Sequence, residues 1–148
     1  MGKNGIIKSL RINYIAAIVS ALAVLLAFEC GWLEKGALTN VLSSNEMYVV
    51  QVVIIMLTIM FIPLAIKGFT RSLEKAKNLS EDAFLVVFCK KSLQRIFLLF
   101  LVLVVNEFAY YGLGYDSALY CGLLGLGSMI YSFPTKMVLE QYLGEKEK

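Results

Sequence analysis

Histidine is absent from the 148 residues, which removes imidazole catalysis, histidine metal ligation and histidine pH switching together. Only two prolines interrupt the chain, so long helices meet few obstacles. The three cysteines, Cys30, Cys89 and Cys121, are too far apart in sequence to form a CxxC redox or zinc pair. Charge is also scarce. Charged residues make up 17% of the chain, against roughly 25% in an ordinary soluble domain. Hydrophobic residues fill the gap at 59%, and both deviations point to a lipid environment. The length suits a single domain, residues 1–148.

What is present is a set of four long apolar runs. A bilayer crossing needs roughly 20 predominantly apolar residues in a helix. Residues 12–32, 47–66, 92–111 and 115–133 meet or approach that requirement. The backbone must satisfy its own polar groups in hydrocarbon, so helices are expected. Local punctuation agrees. Ser43, Ser44, Asn45 and Glu46 fit an S-x-x-E capping box ahead of the second run. Ser80 with Glu81 and Asp82 makes a good helix start after Asn78. Gly112 and Gly114 are expected to stop the third run, Pro63 to kink the second, and Pro134 to end the fourth or open a short terminal helix. The expectation is an all-α integral membrane protein: a four-transmembrane-helix bundle with a cytoplasmic helical-hairpin extension between helices 2 and 3.

Lys3, Lys8 and Arg11 before an apolar run imitate a signal peptide. No small-residue cleavage site follows, and Glu29 directly before Cys30 spoils a lipoprotein-type one, so the first run reads as a retained membrane helix. The basic residues then set orientation. All but one of the 14 Lys and Arg residues lie in the N-terminal tail, in the segment from Lys67 to Arg95, or in the C-terminal tail with Lys136, Lys146 and Lys148. The exception is Lys35. By the positive-inside rule both termini are cytoplasmic, in a cytoplasmic (inner) membrane. Glu29, Glu34, Glu46, Glu107 and Asp116 fall on the opposite side, so the basic excess reflects bilayer orientation and gives no reason to expect nucleic acid. Lys67, Arg71, Lys75, Lys90, Lys91 and Arg95 form an inner basic collar expected to contact anionic lipid headgroups.

A carboxylate within a span is expensive and marks a functional position by default. Glu107 is that residue. If the turn between runs two and three centres on Leu79, Gln51 lies level with Glu107 and Lys67 with Lys91. Glu107, Gln51 and Asn106, with Glu29 from the first run, then make a candidate polar or ion-coupling cluster. Two small-residue seams complete the inventory: Ala16, Ser20, Ala23 and Ala27 on the first run, and Ser117, Cys121, Gly125 and Ser128 on the fourth. Such spacing lets helix backbones approach closely. The seams are expected to pack within the bundle, first helix on fourth, or against another copy or protein. Cys30 and Cys121 both lie near the outer edge, where an oxidising compartment would allow pairing.

No nucleophile, metal-ligand or cofactor constellation emerges, so no enzyme activity and no cofactor is expected. The reading is a non-catalytic membrane component acting by helix packing in an accessory, assembly, immunity-type or regulatory role. Its partners are membrane lipids and either a second copy or another membrane protein. The alternative is a small homo-oligomeric proton- or cation-coupled transporter or channel using Glu107.

Overall fold

Two serines start the two longest helices. Ser43 Oγ accepts from the Glu46 backbone N–H at 3.4 Å, while the Glu46 carboxylate accepts from the Ser43 N–H at 2.8 Å. This is the reciprocal box expected from the sequence. Ser80 Oγ accepts from the Ala83 N–H, with Glu81 and Asp82 in the favourable first turn. Gly114 closes the second of these helices at φ 71°, a left-handed cap that glycine adopts without steric cost. Ser43→Ala is expected to lower the unfolding free energy in detergent by about 1 kcal/mol. Ser44→Ala, one residue past the cap, is the control and should leave it unchanged.

The computed structural model describes residues 3–144. Within them the chain is 83% helix and contains no strand. The order is α1 (Lys3–Glu29), α2 (Ser44–Ala76), α3 (Glu81–Leu113), α4 (Asp116–Tyr131) and α5 (Lys136–Gly144). Lys146 and Lys148, counted above in the basic tail, lie outside the described residues. Three helices, α1, α2 and α3, are long and apolar enough to cross a membrane. The 33 residues of α2 and of α3 correspond to about 50 Å each at 1.5 Å per residue, well beyond a hydrocarbon core of about 30 Å. The surplus builds the helical extensions on either side of the 77–80 turn.

The spans differ from the sequence expectation at three places. First, α1 begins at Lys3, far ahead of residue 12, because Ile6, Ile7 and Leu10 bury one face of this stretch against α2 and α3. Second, α3 continues through Gly112 to Leu113, and only Gly114 stops it. Third, α4 has 16 residues, about 24 Å, and is too short to count among the long apolar helices. The chain leaves helical geometry at Ser132 and resumes it in α5 beyond Pro134.

The central helix is α3, which packs against α1, α2 and α4, while α4 also touches α2. At the basic end, Leu10 of α1, Leu73 of α2, Phe84 and Phe88 of α3 and Leu139 of α5 form a closed core. Within the apolar stretch from Ala83 to Cys89, one face (Phe84, Leu85 and Phe88) is thereby covered, while Val86 stays exposed. Lys3 Nζ and a Glu81 carboxylate oxygen meet at 2.8 Å across this end, an exposed pair that contributes little. A second core along the middle joins Tyr14 and Ala21, Ala65, Leu99 and Leu103, and Met129. Along α3 and α4 the contacts run antiparallel in constant register. Gly122 faces Asn106, Gly125 faces Val102, and the Ser132 carbonyl accepts from Arg95 Nη2 at 2.9 Å.

Candidate functional site

Positions 106 and 107 of α3 point different ways because successive helical residues are rotated by about 100°. Asn106 faces α2, where its Nδ2 donates to Thr58 Oγ1 at 2.9 Å and to the Val102 carbonyl at 2.8 Å. Glu107 faces the opposite flank, between α1 and α4. These two helices diverge there. Tyr14 Oη holds the Met129 carbonyl at 3.1 Å near the end of α4, and beyond that point an open cleft of about 170 Å³ separates them. Leu22 and Leu25 of α1 and Leu119 and Leu123 of α4 line its walls, with Glu107 and Asn106 of α3 on its floor.

Two buried acceptors at this level of α3 lack partners, and that of Glu107 lies at the cleft. Glu107 Oε2 and Asn106 Oδ1 are both buried and make no hydrogen bond among the described residues. No Lys or Arg lines the cleft. A buried acceptor left unsatisfied costs about 1–3 kcal/mol, and native chains rarely retain two side by side without a reason.

The mouth of the cleft is held by aromatic packing. Tyr111 stacks on Phe28 of α1, ring centroids 4.7 Å apart, and donates its hydroxyl to Glu29 Oε1 at 2.6 Å. Lys35 Nζ meets Glu29 Oε2 at 3.0 Å and lies 5.2 Å from the Tyr111 ring centroid. The α1–α2 loop folds over the end of α3, where the Gly36 N–H donates to the Tyr111 carbonyl at 2.7 Å. Leu38 rests directly on Gly112, where a Cβ would stand 3.2 Å from its Cδ1.

The four polar residues read from the sequence are therefore not one cluster. Asn106 and Glu107 line the same cleft, Glu29 is engaged at its rim, and Gln51 is elsewhere, its Nε2 donating to Ser117 Oγ at 2.7 Å between α2 and α4. The level-pairing of Gln51 with Glu107 fails for a geometric reason. Gln51 turns towards α4, and Glu107 faces the flank between α1 and α4, away from α2. Thr58 reaches Asn106 and Phe69 reaches Arg95, the guanidinium 3.9 Å from the ring centroid.

The seams also separate. On α4, Gly125 is buried against α3 and Cys121 is buried too, while Ser117, bonded to Gln51 of α2, and Ser128 are half-buried. A Cβ on Gly125 would lie 3.1 Å from Val102 Cγ1. Gly125→Leu is expected to lower stability by about 1–3 kcal/mol through overpacking. It should read as a lower thermal midpoint in detergent, and Gly127→Leu, with nothing within 4 Å of its added Cβ, should not change it. On α1, Ala16, Ser20 and Ala23 are exposed and Ala27 half-buried, on the side of the helix away from the cleft. Cys30, exposed, and Cys121, buried, remain free thiols.

Of the basic collar, Lys67, Arg71, Lys75 and Lys90 are exposed, whereas Lys91 and Arg95 are half-buried between α2 and α3. The sequence reading did not anticipate that Arg95 and Arg11 also close the end of α4. Arg95 Nη2 takes the Ser132 carbonyl and Arg11 Nε the Pro134 carbonyl at 3.3 Å. The one sequence signal for this was an arginine in the turn before an apolar span. No family model, no curated protein and no solved structure matches this chain.

Proposed function

We propose that this chain is a non-catalytic, four-span protein of a cytoplasmic membrane that binds a membrane-embedded partner in the cleft between α1, α3 and α4. The partner is an apolar segment carrying a basic group to Glu107. The observation that carries this reading is the buried, unpartnered Glu107 Oε2 in a cleft without a cation.

The four-span topology is supported by the α3–α4 register. α4 and its tail run from the Gly114 turn down to the level of Arg95, where the basic collar begins. The Met129 carbonyl near the end of α4 and the Ser132 and Pro134 carbonyls just past it accept from tyrosine and arginine donors, which is what a helix end near hydrocarbon requires. The basic distribution favours cytoplasmic termini.

Packing is favoured over transport by the fate of the other polar groups. Gln51 and Glu29 each have partners away from Glu107, and Leu99, Leu103 and Met129 close the protein beneath the cleft. A conducting path would need polar groups in file. The test is labelling with a lipophilic carbodiimide, which attacks carboxyl groups in apolar surroundings. Glu107 should react in the purified protein and be protected in native membranes, where the partner occupies the cleft. Equal labelling in both would count against an occupant. Proton-coupled uptake into vesicles that Glu107→Gln abolishes would favour the transporter instead.

A further inference from the structure

A second pocket lies at the basic end between α2 and α3, about 220 Å³ in volume and open on one side. Its polarity is graded along the helix axes. Leu64 and Leu98 line the part nearer the middle of the spans, while Ser72, Lys91, Gln94 and Arg95 line the part nearer the 77–80 turn. The lining contains no carboxylate, and no ion pair engages Lys91 or Arg95 among the described residues. Both have donors to spare. Arg95 carries five N–H donors; one goes to the Ser132 carbonyl, and its buried Nε has no partner. Lys91 Nζ donates to Gln94 Oε1 at 3.1 Å and keeps two further hydrogens. The Arg95 guanidinium is held against the Phe69 ring, so its plane is fixed before any ligand arrives. Gly68 opens onto the space, with nothing within 4 Å of where its Cβ would stand.

From this arrangement we infer that the α2–α3 pocket binds the phosphate of an anionic phospholipid. Arg95 and Lys91 grip the headgroup, and an acyl chain lies along Leu64 and Leu98. The guanidinium and ammonium supply charge-assisted bonds to phosphate oxygens, and basic pockets between spans suit such headgroups. The polar-to-apolar gradient selects a lipid over a soluble phosphate, because a free anion would leave the Leu64–Leu98 end of the pocket empty. This site is separate from the Glu107 cleft and does not depend on what occupies it.

The test is native mass spectrometry of the full chain in mild detergent, with phosphatidylglycerol, phosphatidylcholine of the same chains, or inorganic phosphate added separately. Phosphatidylglycerol adducts should exceed phosphatidylcholine adducts, and Lys91→Gln should weaken the phosphatidylglycerol adduct by about fivefold. Gly68→Leu fills the pocket without meeting a neighbouring atom at its Cβ and replaces glycine with a better helix former. It should abolish the preference in a protein whose circular dichroism is unchanged. Equal binding of the two lipids, or indifference to both substitutions, would overturn the site. Displacement of phosphatidylglycerol by inorganic phosphate would overturn the lipid assignment.

Discussion

Glu107→Leu is expected to make the isolated protein more stable in detergent and to abolish its binding of a membrane partner. The two effects have one cause. In the free chain Glu107 Oε2 is shut among apolar side chains with no donor, a situation worth about 1–3 kcal/mol in lost solvation. The residue as a whole is only half-buried, so the low end of that range applies, and the thermal midpoint should rise by a few degrees. Leucine suits a cleft already lined by Leu22, Leu25, Leu119 and Leu123. Binding moves the other way, because truncating one partner of a buried charged pair costs about 2–5 kcal/mol, enough to lose a complex in purification. Glu107→Gln keeps an acceptor but removes the charge and should retain only weak association. A stabilised variant that still binds would assign Glu107 to packing alone.

Phe84→Ala should be the most damaging single truncation at the basic end. Phe84 is 0% exposed, at the point where α1, α2, α3 and α5 converge. Its loss leaves a cavity among Leu10, Leu73 and Leu139 and should cost about 3–5 kcal/mol. Val86, two residues on, is 67% exposed, and Val86→Ala is the matched control with little expected change. Denaturant titration in mild detergent reads the difference directly. The effect should reach the cleft, because this core fixes one end of α1. With it loosened, α1 is still held further along by Arg11, Tyr14, Ala21 and Phe28, so the cleft should be perturbed but not lost.

What could be read from the sequence was whatever is written locally. The Ser43–Glu46 box, the Ser80 start and the Gly114 stop each depend on a few adjacent residues, and each forms as expected. The long apolar runs of α1, α2 and α3 are local in the same sense. The misses all involve distance along the chain. Ile6, Ile7 and Leu10 look like scattered apolar residues in a basic tail until α2, α3 and α5 supply the surface they bury. Arg95 looks like one more cation of a collar until the end of α4 arrives with carbonyls to satisfy. The pairing of Gln51 with Glu107 rests on depth, and depth does not say which flank of its helix a side chain takes. The residue judged most costly, Glu107, was visible from composition, but the face it occupies was not, since that depends on α1 and α4 diverging.

The central claim is that the cleft beside Glu107 is occupied in the membrane. Its most direct test is a photo-crosslinking amino acid placed at Leu22, on the cleft wall, with a second placed at Met56, exposed on α2 away from it. In native membranes the Leu22 probe should give one discrete protein adduct that disappears in the Glu107→Leu background, while the Met56 probe gives none. No protein adduct at Leu22, or one that persists without Glu107, would contradict the account.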